Sequence, residues 1–399
     1  MSVTPAVSPL RPVEEPESSR PRPLIPFDPL LLLAAVGLVA CSIVTLKGAT
    51  RTNIAGSPLY YVERQAIYAG VGLLVALLLA RIDYSRLREY RYGLYGLMIA
   101  LNLVVFGMPA IRGSHRWIPL PFLQLQSSEF GKIFLIASLG AFAVDRSRRL
   151  HERRTTARIM LFALFPALIV IPQPDLGTGL VYVAVGFTIL FVAGTSWKQL
   201  TALFAMFAAS VAIVLAGAPA LGVHVLKPYQ VQRLTGFLNP SHDPRNQTYN
   251  ITESLIAIGS GQKTGRGVNG ASQTNLHFLP ENQTDFIFAV VGETYGFVGA
   301  ALVLSLYALL IWRCLRILTM AKNLYGTLIA GGILAMLMFQ VFVNVGMTIG
   351  IMPITGVPLP LMSYGGSSVI VTFVAIGLLQ SIYIQARMTS AGKGRALVQ

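Results

Sequence analysis

The stretch YGTLIAGGILAMLMFQVFVNVGMTIGI, residues 325–351, carries no charged side chain. An α-helix rises 1.5 Å per residue, so about 20 apolar residues cross a ~30 Å hydrocarbon core. Runs of the same kind recur outward from this one in both directions. The spacing predicts spans at 29–46, 66–80, 92–108, 129–144, 159–172, 178–194, 199–220, 285–312, 325–351 and 366–386. The chain is 54% hydrophobic and 12% charged, with mean hydropathy +0.63. A soluble domain carries about 25% charged residues. Backbone groups in a bilayer must be satisfied within their own segment, so runs of this length form helices. The fold class is therefore an all-α polytopic membrane protein of about ten transmembrane helices, with a long extracytoplasmic loop between spans seven and eight.

An even number of spans puts both termini on one side. The segments on that side hold Arg81, Arg86, Arg88 and Arg91, then Arg146, Arg148, Arg149, Arg153, Arg154 and Arg158, and Arg313, Arg316 and Lys322. Short loops rich in Lys and Arg face the cytoplasm, so both termini are expected there. Residues 1–27 contain seven prolines and no apolar core of a signal peptide, and read as a disordered cytoplasmic tail. Residues 28–387 form one membrane domain, and residues 388–399 a second cytoplasmic tail. The net charge of +15 is then mostly a topology signal. The basic residues are scattered over short loops, which argues against nucleic acid as a partner. Cys41 and Cys314 lie in or at the end of spans and read as packing residues.

Four segments share the outer face on this topology: 109–128, 173–177, 222–284 and 352–365. The third is far longer than a connector requires, and long loops are usually functional or disordered. It contains Tyr229, Arg233, Phe237, Leu238, Tyr249 and Ile256, and a short amphipathic helix is expected at 250–258. The glycine-rich run Gly259–Gly267 fails the P-loop pattern, because Gln262 stands where glycine should precede Lys263. An ATPase is excluded.

The polar residues on this face fall into clusters. Arg116-Trp117 precedes Gln126-Ser127-Ser128-Glu129-Phe130-Gly131-Lys132, where Glu129 and Lys132 share a helix face three residues apart. Charges at membrane depth are costly and point to function, although a structural ion pair with Ser128 as N-cap explains them too. Asp175, in Gln173-Pro174-Asp175-Leu176-Gly177-Thr178, suits either a substrate-side role or the cap of the next helix. In Pro358-Leu359-Pro360-Leu361-Met362-Ser363-Tyr364-Gly365-Gly366-Ser367-Ser368 the helix is broken. Ser363, Gly365 and Ser367 there either meet substrate or build a turn in which Ser367 or Ser368 caps the last span. Phe278-Leu279-Pro280-Glu281-Asn282-Gln283-Thr284-Asp285-Phe286 places Glu281 and Asp285 four residues apart where the long loop meets a span. Asp and Glu total only 16 in 399 residues, so the pairing is conspicuous.

These clusters, in this order, resemble the SEDS family (shape, elongation, division and sporulation) of peptidoglycan glycosyltransferases. The resemblance covers roughly residues 28–387. It also rests on Phe237-Leu238-Asn239-Pro240 with Asp243, on Ala257-Ile258-Gly259-Ser260-Gly261 and on Thr284-Asp285-Phe286-Ile287-Phe288-Ala289. Gly356-Val357-Pro358-Leu359-Pro360 looks more like the elongation branch than the division branch. Ser127 stands where the family usually has proline, Asn282-Gln283 replaces its usual pair before Thr284-Asp285, and Thr294 follows Glu293 where a second glutamate is common.

The resemblance implies polymerisation of lipid II into glycan strands at the outer face of the cytoplasmic membrane. It makes Asp285 the general base. Arg116 and Lys132 would stabilise diphosphate charge, Glu129 would orient Lys132, and Glu281, Ser363, Gly365 and Ser367 would contact substrate. A divalent cation, Mg²⁺ or Mn²⁺, is expected, with Asp175 and Glu129 as the carboxylates to hold it. Membrane lipids and a class B penicillin-binding protein, a transpeptidase, are the implied partners. The competing functions are a transporter (flippase) for the same lipid-linked precursor and a scaffold for the transpeptidase. A transporter needs polar lining mid-span, and Glu293 is the main residue placed for that.

Overall fold

The computed structural model describes residues 27–50, 59–109, 116–119, 124–217 and 247–396. Tyr229, Arg233, Phe237, Leu238, Asn239, Pro240 and Asp243, like the tail before residue 27, lie outside the described residues.

Within the described residues each expected span has a helix over most of its length. In chain order these are α1 Pro29–Ala49, α2 Tyr60–Leu79, α3 Arg91–Val104, α4 Ser127–Asp145, α5 Arg153–Val170, α6 Leu176–Val192 and α7 Trp197–Ala212. They continue with α8 Gln247–Gly261, α9 Ile287–Met320, α10 Leu324–Thr348 and α11 Gly366–Ala396. A two-stranded hairpin, β1 Trp117–Pro119 with β2 Gln124–Gln126, precedes α4 and pairs antiparallel with Trp117 opposite Gln126. Among the described residues seven helices have the length and hydropathy to cross a bilayer. α4, α10 and α11 form the buried centre, while α2 and α7 turn much of their surface outward, with Ile67 and Phe204 exposed. In a multi-pass membrane protein that apolar exterior faces lipid tails, not water.

Several boundaries differ from the sequence expectation for identifiable reasons. α2 begins at Tyr60 and not at 66, because Glu63, Arg64 and Gln65 sit in its first turns and dilute the apolar pattern. α5 begins at Arg153 and takes in basic residues expected to be loop. α11 runs on to Ala396, well past 386. The helix within the long loop is α8, longer than the expected 250–258, and Ile251, Ser254 and Ala257 form its buried face.

The largest difference is α9. It starts at Ile287, leaving Asp285 in the preceding turn, and its helical backbone breaks at Gly296 (φ 63°, ψ −157°). Residues 262–266 press against the break. The amide of Phe297 donates to Gln262 O at 2.8 Å, that of Val298 to Lys263 O at 3.1 Å, and Arg266 N donates to Glu293 O at 2.9 Å. The groups freed by the break are thereby satisfied, as a membrane-embedded break requires. The glycine-rich run is thus a fitted surface. A Cβ on Gly265, itself at φ +83°, would lie 2.2 Å from Thr294 O.

The first turn of α1 anchors the bundle. Asp28 caps it, accepting from Leu30 N and Leu31 N, with Pro29 at the first helical position. The same carboxylate is fully buried and pairs with Arg313 of α9, whose Nε lies 2.8 Å away. Gln380 of α11 bonds both the amide and the carbonyl of Asp28.

Candidate active site

Asp285 lies at the tip of a turn whose backbone is held from three sides. Asn344, near the end of α10, donates its side-chain amide to Asp285 O at 2.9 Å. Ser363 Oγ donates to Thr284 O at 2.6 Å, and Tyr364 N donates to Gln283 O at 2.9 Å. The carboxylate itself is half-buried beside the backbone of Gly356, where a Cβ would come within 3.5 Å of Oδ2. Phe286 and Phe288, which follow it, are buried. Glu281 does not join Asp285 as a second buried acid. It is exposed, sits at φ 52°, and accepts from Thr284 Oγ1 at 3.0 Å, closing the turn.

The loop 352–365 connects this turn to the other clusters. Thr355 and Val357 pack on Gly177 so tightly that a Cβ there would meet Val357 Cγ2 at 2.3 Å. Two residues earlier, Asp175 caps α6, with its Oδ1 accepting from Thr178 N at 3.2 Å. Its Oδ2 accepts from Ser128 Oγ at 2.8 Å and from Gln126 Nε2 at 3.0 Å. Ser128 is therefore not the N-cap of α4; that place belongs to Gln126. Ser367 does not cap α11 either. Its hydroxyl donates to Gln124 O at 2.8 Å and accepts from Gln126 N at 3.0 Å, joining α11 to the hairpin. Ser363 also accepts from Leu359 N, so both serines are engaged with backbone. Gly365 N faces Gln65 Oε1 at a long 3.5 Å.

Glu129 and Lys132 form an ion pair of 2.6 Å in the first turns of α4, and both are almost fully buried. Arg116, just before β1, is half-buried, so it is the cation of this cluster with surface to offer. Burial pushes the phenol of Tyr364, within the 352–365 loop, above its ordinary range. The residues expected to hold a divalent cation are both engaged within the protein. Both oxygens of Asp175 already accept hydrogen bonds, and Glu129 faces Lys132. Among the described residues no three His, Cys, Asp or Glu side chains converge as a metal site.

Sequence reasoning missed the buried amides that hold the site. Asn344 bonds Val357 O at 2.8 Å as well as Asp285 O. Gln65 donates to Ser42 Oγ and to Ser363 O, and Ser42 donates to Met362 O. Asn102 receives the Ser127 hydroxyl, and its carbonyl accepts from Gln173. The signal for Asn102 and Asn344 was an amide inside an apolar run, and Asn344 sits with Gln340 in the very stretch quoted first. Glu293, the main residue that the competing transporter reading could use mid-span, is tied down. Its carboxylate accepts from Gln273 N, Thr274 N and Thr274 Oγ1, capping the one-turn helix Ser272–Asn275.

Residues 25–388 match the family FTSW_RODA_SPOVE, described as cell cycle protein. The chain is 36% identical over 365 residues to the peptidoglycan glycosyltransferase MrdB of Escherichia coli K12, covering 91% of this chain and 95% of that one. It is also 36% identical over 374 residues to a probable peptidoglycan glycosyltransferase FtsW of Alkalilimnicola ehrlichii, covering 90% and 89%. In three dimensions it resembles a chain of a peptidoglycan synthase complex solved to show structural coordination of polymerization and crosslinking. That likeness has a TM-score of 0.74 and 32% identity, and covers 90% of this chain and 98% of the other.

Proposed function

The chain belongs to the FTSW_RODA_SPOVE family and is a multi-pass membrane peptidoglycan glycosyltransferase, and from that premise we propose that it polymerises lipid II with Asp285 as general base. A hydroxyl of one lipid-linked sugar attacks the anomeric carbon of a second. The new glycosidic C–O bond forms as the bond from that carbon to the diphosphate breaks, and undecaprenyl diphosphate leaves. The hydroxyl proton passes to the Asp285 carboxylate. A diphosphate departs without protonation, so one carboxylate is chemically sufficient, provided that positive charge meets the leaving group. Half-buried Arg116 takes that role, and its guanidinium suits forked contacts to phosphate oxygens.

The observation that carries the proposal is the threefold backbone support of the Asp285 turn by Asn344, Ser363 and Tyr364. Preorganisation of this kind serves a reacting group, since small displacements of a base cost large factors in rate. It also gives Ser363 its role, which is positioning the turn. Glu293 is fixed in a cap, which removes the mid-span polar group that a transporter of the same precursor would use. The active face lies outside and the termini inside, following the basic loops. The relationship to a synthase complex supports a class B penicillin-binding protein as partner, and the Pro358 region supports the elongation role.

The test is glycan polymer formation from lipid II by the purified protein, with and without that partner, beside Asp285→Asn. Polymer from the wild type and none from a folded Asp285→Asn variant is the expected result. Substantial polymer from the variant removes Asp285 from the base role, and none from the wild type with its partner present favours the scaffold.

A further inference from the structure

The end of the bundle opposite Asp285 holds a second set of charged side chains that glycosyl transfer does not use. α4 begins at the hairpin beside Ser367 and ends at Asp145 after 19 residues, a rise of roughly 28 Å. Around its far end two cavities of about 480 and 610 Å³ adjoin, sharing Arg88, Val144 and Asp145. In the first, Asp145 bridges two cations, with Arg88 Nη2 at 2.8 Å and Arg91 Nε at 3.1 Å. Glu89 lines the same cavity, and Arg91 Nη1 also donates to Arg88 O at 3.1 Å. Each guanidinium carries five N–H donors, more than these contacts use. The second cavity adds Arg146, Arg148 and Arg149, with Asp145 the acid among its lining residues.

A bias of basic residues toward one side of the membrane explains why arginines lie at this end. It does not require them to converge on a shared cleft. The adjoining surface of α3 supplies the second half of the argument. Exposed Tyr90 and Tyr92 stand at the rim, and the Arg91 guanidinium lies 4.8 Å above the Tyr92 ring. From there Gly93, Gly96, Leu97, Ala100 and Leu103 are exposed along one side of the helix, with open space over both glycines. A shallow apolar track thus runs from a cationic cleft into the depth of the membrane.

We propose that this cleft and track bind an anionic glycerophospholipid, with its phosphate among the arginines and an acyl chain along α3. Charge alone would suit a free phosphate or an acidic peptide, but neither makes use of an apolar track at membrane depth. The pairing of the two features matches a molecule with a charged head and a hydrocarbon tail.

The experiment is native mass spectrometry of the purified full-length protein in detergent, titrated with phosphatidylglycerol or phosphatidylcholine. The wild type is expected to retain phosphatidylglycerol at concentrations where phosphatidylcholine is lost. Arg148→Gln with Arg149→Gln, both on exposed residues, is expected to raise the phosphatidylglycerol needed about 25-fold, at about five-fold per basic residue near a charged surface. Gly96→Leu, which fills the track and leaves the arginines, is expected to weaken phosphatidylglycerol retention as well. Equal retention of the two lipids by the wild type overturns the proposal, as does unchanged binding by the double variant. Full competition by inorganic phosphate with no effect of Gly96→Leu identifies a phosphate site, and displacement by poly-glutamate under the same condition identifies an acidic peptide site. Either outcome also overturns it.

Discussion

Asn344 and Asp285 are joined by a 2.9 Å hydrogen bond from the asparagine side chain to the aspartate backbone, and the same amide reaches Val357 at 2.8 Å. One side chain on α10 therefore sets the distance between the turn that carries the carboxylate and the loop that packs against it. Asn344→Leu keeps the approximate volume and leaves two buried carbonyls without this donor. An unsatisfied buried acceptor costs about 1–3 kcal/mol. The expected outcome is a lower thermal midpoint in detergent and a fall of at least about ten-fold in polymer formed, since a base displaced by an ångström costs orders of magnitude in rate. Wild-type polymer yield from a destabilised Asn344→Leu would show that the tether serves the fold alone.

The buried pair Glu129–Lys132 was legible from its spacing, but whether it serves structure or substrate was not. Lys132→Met strands a carboxylate in the interior, which costs about 3–5 kcal/mol, whereas replacing both charges by neutral groups is often tolerated. Lys132→Met alone is thus expected to reduce the yield of folded protein sharply, and Glu129→Gln with Lys132→Met to restore it. Polymerisation by the restored double variant then separates the roles. Activity near wild type assigns the pair to the fold, and loss of activity in a stable double variant assigns Lys132 to the diphosphate.

How much of this was visible in the sequence depends on what each residue answers to. The apolar runs are dictated by the bilayer and place every expected span on a helix. Asp175 capped its helix as the residue pattern allowed, because a cap is a local interaction. Caps were one of two readings for Ser128 and for Ser367 too, and there the local rule lost to partners far away in sequence: Asp175 and the hairpin backbone. The break at Gly296 was hidden for the same reason. Its cause is the segment 262–266, brought against α9 by the tertiary fold, and an apolar helix pattern cannot register an intruder.

That intrusion makes a sharp comparison between two glycines of the same run. A Cβ on Gly265 meets Thr294 O at 2.2 Å from a residue at φ +83°, while one on Gly259 meets nothing within 4 Å. Gly265→Ala must push residues 262–266 off the break, leaving the amides of Phe297 and Val298 without their acceptors. The expected loss is several times the ~0.5–1 kcal/mol that an unstrained glycine-to-alanine exchange involves. Gly259→Ala is expected to be neutral or slightly stabilising, since it lies within α8. Thermal unfolding of the two variants side by side checks this, and equal midpoints would mean that the segment does not hold the break.

Glu293 offers the last comparison, because it is the mid-span polar residue that a transporter would need and is found as an anchor. Its carboxylate is fully buried and takes two backbone amides and the Thr274 hydroxyl, with Thr274 Oγ1 at 2.6 Å. These bonds fix the start of the segment that leads through Leu279 and Glu281 to Asp285. Hydrogen bonds to a charged group contribute about 1.5–3 kcal/mol each. Glu293→Gln keeps one carbonyl acceptor but places an NH₂ where an amide N–H now points, so at least one contact becomes repulsive. The expected result is faster proteolysis and hydrogen exchange across 272–286 with the spans unchanged, and a polymerisation rate that falls with them. If the protein acts instead by moving its substrate across the membrane, Glu293→Gln should impair transfer of lipid II between leaflets while leaving exchange in 272–286 as it was. Measuring both on one preparation decides between an anchor and a path.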